Sequence, residues 1–258
     1  MPYVDAGDAR LHAEVDGEGD PVTVLAHGLT NTCRELQRMT PLVAGSKVRF
    51  CFRAHGHSSP GDAYSFGDFA RDVEAVASRF GATRAVGTSL GAGAICRLLA
   101  TRPDRFERLV FLLPAGLDRP FREKERFMRT AELLETKPPE EAIDAILSEP
   151  ERQLLYERFP SMREFDRATW DHADLQALAA AIRGVIEDHP IPDRELLRPV
   201  EAPTLLIARE GDPTHPARVA RIMAELMPNA ELLEYPDDVA MYEAIPSIVQ
   251  RVNVTLTA

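Results

Sequence analysis

Short apolar strands alternate with helical stretches along most of this 258-residue chain, which predicts an α/β fold. Several strands are continuous apolar runs without polar alternation, the pattern of strands buried on both faces, so the sheet is expected to be mostly parallel with helices on either side. One long stretch, 119–197, carries helices but no good strand and predicts an inserted helical segment.

The chain opens with a half-buried strand in which Leu11, Ala13 and Val15 alternate with Arg10, His12 and Glu14. Gly7-Asp8 supplies a turn before it and residues 16–21 (DGEGDP) one after it. A buried strand over 22–26 ends at His27-Gly28, and residues 48–52, aromatic and β-branched, form the next. Over 66–80, Phe66, Phe69, Ala70, Val73, Val76, Ala77 and Phe80 fall at helical spacing. Residues 84–86 lead as a strand into Gly87, and 90–100, rich in small residues, read as a helix. Further strands lie at 109–113 (LVFLL) and 204–208 (TLLIA), followed by a helix over 217–227 and a last strand at 231–235.

Within 119–197, amphipathic helices are expected over 121–136, 140–147, 152–159 and 168–186, punctuated by Pro138, Pro139, Pro150 and Pro160. This excursion can be an extra layer on the same core or a cap over the C-terminal ends of the strands. Its length departs from simple strand–helix alternation and favours a cap (119–197) on a core formed by 1–118 and 198–258.

The bulk numbers narrow the function. With 30 basic and 41 acidic residues the formal charge is −11, so phosphate backbones are repelled and no nucleic-acid partner is expected. No apolar run has the length of a bilayer span, and the start, MPYVDAGDAR, lacks the basic and apolar parts of a signal peptide; a cytoplasmic protein without membrane attachment is expected. The three cysteines, Cys33, Cys51 and Cys96, are widely spaced and odd in number, which suits free thiols, and no Cys/His pairing has zinc-site spacing. The expected partner is a small-molecule substrate, with no metal or organic cofactor and with a homodimer left open.

The strongest chemical signal is Gly87-Thr88-Ser89-Leu90-Gly91, a G-x-S-x-G between a strand and a helix. A serine on so sharp a turn needs minimal side chains two residues away on either side. The next N–H, on Leu90, starts the helix and points where an oxyanion would form.

With these residues the chain resembles the α/β-hydrolase family over nearly its whole length. His27-Gly28-Leu29 is similar to the family's His-Gly oxyanion loop, which implies the Leu29 N–H as the second oxyanion donor. Arg53-Ala54-His55-Gly56-His57-Ser58 resembles an Arg-Gly-His-Gly-x-Ser stretch in which Ala54 replaces a glycine. Gly211-Asp212-Pro213 resembles the loop that holds the catalytic acid. The resemblance implies an eight-stranded sheet whose second strand is antiparallel. Thr88 beside the serine, His27, His57 and His172 are expected to border the substrate. Ser89, in place of the aspartate of epoxide hydrolases and dehalogenases, suits acyl transfer.

One part of the pattern is missing. The family places its histidine after the last strand, where this chain has Asp238, and no histidine follows residue 215. His12 and His189 read as solvated surface residues, His27 and His55 as turn-structuring ones. His215, three residues beyond Asp212, can hydrogen-bond that carboxylate and is the leading base; His57 and His172 are relocated alternatives, and a chain without any base is the third. The leading expectation is a serine hydrolase acting on an ester, thioester, lactone or related acyl bond. Its rivals are a cofactor-independent lyase on the same fold, which would incorporate no water, and a binding protein that has lost its base. Phe121, Phe127, Met128, Leu133 and Trp170 are candidates for either the interior of the helical segment or the pocket lining.

Overall fold

The computed structural model describes residues 3–38, 41, 43–121 and 123–257. Eight strands, β1 (Tyr3–Asp5), β2 (Arg10–Asp16), β3 (Thr23–Ala26), β4 (Lys47–Phe50), β5 (Arg84–Thr88), β6 (Arg108–Leu112), β7 (Thr204–Arg209) and β8 (Ala230–Tyr235), form one sheet in the order β1-β2-β4-β3-β5-β6-β7-β8. β2 runs antiparallel to β1 and β4, and every other pair is parallel, as expected for this fold class. All four residues of β3 are buried, as are most of β6 and β7, which is why these strands lack polar alternation.

Successive residues of the central strands feed two cores. Ala26, Leu109 and Phe111 face α1 (Phe66–Phe80), α2 (Leu90–Leu99) and α8 (Ala217–Leu226), while Leu25, Val110 and Leu112 face Ile248, Val252 and Leu256 of α10 (Ile245–Thr257). Helix α1 begins at a capping box between Ser65 and Asp68 and ends at Gly81 in the left-handed conformation, φ 67°. After β4 the chain is anchored to α1 by the fully buried Arg53, whose Nη2 lies 2.8 Å from Asp72 Oδ1. Ala54, at φ 62°, holds the left-handed turn where a glycine was expected by resemblance.

Among the described residues, five α-helices lie between β6 and β7: α3 (Lys124–Thr136), α4 (Pro139–Leu147), α5 (Pro150–Arg158), α6 (Ser161–Thr169) and α7 (Leu175–Glu187). Ala131, Leu134, Ile143, Ile146, Trp170, Leu178 and Ile182 form a third apolar cluster among them. Helix α7 joins this cluster to the main core, because Ala177, Ala181 and Val185 on another side of it pack with the sheet helices. The continuous helix expected over 168–186 is interrupted: α6 ends at Thr169, and Asp174 caps α7 by accepting the Ala177 N–H at 2.9 Å. His12, expected on the surface, is 4% exposed and lies against the rings of Tyr3 and His57. A short helix α9 (Asp238–Glu243) and α10 complete the chain. Among the described residues no helix is long and apolar enough to cross a membrane.

A close contact joins α2 to the sheet. A Cβ added at Gly91 would stand 2.1 Å from the Ala26 carbonyl oxygen, whereas one at Gly116 would meet nothing nearer than 3.5 Å. Gly91→Ala is therefore expected to cost about 1–3 kcal/mol, read as a lowered Tm or loss of soluble protein. Gly116→Ala is expected to be close to neutral in the same thermal melts, and equal stability of the two variants would refute this account.

Candidate active site

Ser89 sits between the end of β5 and the first residue of α2 at φ 49° and ψ −104°, a strained conformation for a residue with a Cβ. The turn is held from several sides. The Ser89 N–H donates to the Leu112 carbonyl at 3.1 Å, the Gly93 N–H to the Ser89 carbonyl at 3.0 Å and the Gly91 N–H to the His27 carbonyl at 3.0 Å. A Cβ at Gly87 would lie 2.7 Å from the Ala92 nitrogen, so both glycines of the motif answer a steric demand.

Across from Ser89 lies the loop that follows β7. Asp212 Oδ1 accepts the N–H groups of Thr214 (2.9 Å) and His215 (3.0 Å), winding the loop into a tight turn. That turn brings His215 Nδ1 to 2.8 Å from Asp212 Oδ2 and His215 Nε2 to 3.0 Å from Ser89 Oγ. Burial works against ionising Asp212. The His215 ring, the Arg209 guanidinium (Nη2 to Oδ2, 2.7 Å) and the His215 N–H outweigh it and hold the carboxyl well below the usual carboxylate range. An ionised acceptor at Oδ2 selects the imidazole tautomer protonated on Nδ1, which leaves the Nε2 lone pair for the serine hydroxyl. Asp238, where resemblance placed the histidine, forms an ion pair with the other arm of Arg209.

Leu90 is the first residue of α2, so its N–H has no acceptor inside the helix. Leu29 follows Gly28, whose backbone is held on both sides. The Gly28 N–H donates to Glu35 Oε2 at 2.7 Å, and its carbonyl accepts from His27 Nδ1 at 2.7 Å. Asn31 Nδ2 donates to Glu35 Oε1 at 2.6 Å. Burial pushes the Glu35 carboxyl up to about 7 against the lowering effect of the Gly28 N–H, and the charge of Asp166 adds to the rise. Sequence reasoning missed Glu35: an acid between Arg34 and Leu36 carries the signature of an ordinary surface charge.

The cavity in front of Ser89 is bordered by Leu29, Glu35, Thr88, Arg126, Phe127, Trp170 and His215. Thr88 is among these residues. Three histidines are not. His27 is 1% exposed, and with the Phe52 N–H donating to its Nε2 at 3.0 Å both ring nitrogens serve the backbone, so it braces the turn at Gly28 from below. His172 accepts the Gly56 N–H at Nδ1 (2.9 Å) and donates from Nε2 to the Thr30 carbonyl (3.0 Å). Burial lowers its pKa to about 4, and it ties two loops of the core to the helical segment. His57 is half exposed, 3.4 Å from Asp171. Neither His57 nor His172 approaches Ser89 as His215 does. Of the apolar candidates, Phe127 and Trp170 line the cavity, and Met128 is 40% exposed.

A sequence profile of the alpha/beta hydrolase family matches residues 23–240. Among solved structures, a hydrolase from Pseudomonas aeruginosa PA01 is similar over 100% of this chain and 98% of its own, with a TM-score of 0.81 and 24% identity. An enol-lactonase from Burkholderia xenovorans LB400 is similar over 100% of both chains, with a TM-score of 0.82 and 22% identity. An esterase from Exiguobacterium antarcticum is similar over 99% of both, with a TM-score of 0.79 and 14% identity.

Glu35 makes stability depend on pH in a defined direction. Between its ordinary value of 4.5 and about 7, the folded chain keeps a proton that the unfolded chain has released. Its contribution is therefore fully present below 4.5 and is lost as the pH rises towards 7. Glu35→Gln lacks this titration, so its Tm relative to the parent is expected to climb across that window. A difference that stays flat with pH would show that Glu35 is an ordinary acid in the fold.

Proposed function

The chain belongs to the alpha/beta hydrolase family, and on that premise we propose that it is a serine hydrolase that cleaves an ester, thioester, lactone or related acyl bond of a small molecule through an acyl-enzyme. The observation that carries this reading is the continuous chain from Ser89 Oγ to His215 Nε2 and from His215 Nδ1 to Asp212 Oδ2, at 3.0 and 2.8 Å.

In this mechanism Ser89 Oγ attacks the substrate carbonyl while its proton passes to His215 Nε2. Asp212, already ionised, stabilises the imidazolium and fixes the ring. The N–H groups of Leu29 and Leu90 receive the oxyanion, and His215 returns its proton to the departing group. Water then attacks the acyl-enzyme with His215 again as base, which releases the acid and regenerates Ser89. Glu35 is a positioning residue that acts through Gly28. The helices between β6 and β7 serve as a cap: Arg126, Phe127, Trp170 and Arg152 enclose the cavity from their side.

The enol-lactonase and the esterase with this fold support an ester-type bond. A base in hydrogen-bond contact with the serine favours nucleophilic attack over a mere binding role. Three unpaired cysteines, Cys33, Cys51 and Cys96, suit a cytoplasmic location.

Ser89→Ala is expected to abolish turnover of a p-nitrophenyl ester and labelling by a fluorophosphonate while leaving Tm almost unchanged. His215→Ala is expected to lower kcat by at least about a thousand-fold, and Asp212→Asn by about ten-thousand-fold. His57→Ala should change kcat little. Retained turnover in Ser89→Ala would defeat the acyl-enzyme, and unchanged kinetics in His215→Ala would defeat the assignment of the base.

A further inference from the structure

Three residues far apart in the chain meet at one buried point away from the serine: His12 on β2, Cys33 in the loop after β3, and Cys51 just past β4. One ring nitrogen and the two sulfurs lie within 4.8 Å of one another, and the residues are 4%, 6% and 1% exposed. Sequence spacing gave no hint of this cluster, because the fold and not a local motif assembles it.

The donors are held in place. The Cys33 backbone N–H donates to Cys51 Sγ at 3.3 Å, an N–H···S contact that favours a thiolate. The Cys51 N–H donates to the His12 carbonyl at 2.9 Å, and the Ser58 hydroxyl joins the same two residues, accepting the His12 N–H at 2.9 Å and donating to the Cys51 carbonyl at 2.6 Å. On its far side the Cys51 sulfur fills the space that a Cβ at Gly56 would need, 2.4 Å away. Arg49, with Nη1 3.5 Å from the Cys33 carbonyl, places a guanidinium beside the cluster.

We propose that His12, Cys33 and Cys51 form a binding site for one monovalent copper ion. Two thiolates and an imidazole are a soft donor set, which disfavours magnesium and calcium. A structural zinc site asks for four ligands, and this buried cluster supplies three. Monovalent copper, soft and content with few ligands, fits thiolate donors. With both sulfurs bound as thiolates, one copper cation leaves the site a single negative charge, and Arg49, which also pairs with Asp16 and Glu14, lies beside it.

The test uses the intact protein, reduced and handled without oxygen, in competition with the cuprous bicinchoninate complex. The protein is expected to withdraw one equivalent of copper, to develop a thiolate-to-copper ultraviolet band and to gain Tm. Cys33→Ser and His12→Gln, each checked for folding by circular dichroism, are expected to lose at least tenfold in copper affinity, and Cys96→Ser to match the parent. An untouched bicinchoninate complex overturns the site, as does equal withdrawal by the Cys33→Ser variant. Uptake of zinc in preference to copper overturns the three-ligand assignment.

Discussion

The approach of helix α2 to strand β3 is the constraint on which the rest of the arrangement depends. With no side chain at Gly91, the helix start presses against the backbone at Ala26, and the Gly91 N–H reaches the His27 carbonyl. One contact thereby places the β5–α2 turn, with its strained serine, beside the loop that begins at His27. A larger residue at Gly91 would part these two segments. The strain at Ser89 persists because the hydrogen bonds to Leu112 and from Gly93 hold the turn from both sides.

Electrostatics organise the opposite wall. Arg209 at the end of β7 reaches Asp212 with one arm and Asp238 with the other. Its charge helps keep Asp212 ionised against burial, while Asp238 occupies the place that resemblance reserves for a histidine. Such a substitution would ordinarily leave a serine without a base. Here the turn wound by Asp212 Oδ1 supplies an imidazole from three residues further on, and both of its nitrogens are engaged.

The sheet, the helices that cover it and the Ser89 turn were legible in the sequence because each follows from local rules: apolar runs for buried strands, 3.6-residue spacing for α1, and two glycines flanking a serine. The contact between Asp212 and His215 was legible for a related reason, since a residue three positions from an aspartate is within its reach in a turn. The break between α6 and α7 was not, because the apolar pattern runs on across it while Asp174 caps the second helix. Glu35 and the His12–Cys33–Cys51 cluster escaped because their significance is tertiary. The surroundings that bury Glu35 and the contacts that assemble the cluster come from segments with no sequence proximity. His172 was misplaced for the same reason: a helical-segment histidine looks like a pocket residue until both of its nitrogens are found tied to loop backbone.

Housing Asp212 and His215 in one turn has a mechanical consequence. When the two groups sit on separate loops, each can drift independently and the contact between them is the vulnerable one. Here only Pro213 and Thr214 lie between them, so the turn that places one places the other. Beyond residue 215 the chain still reaches this wall through Asp238, which pairs with Arg209.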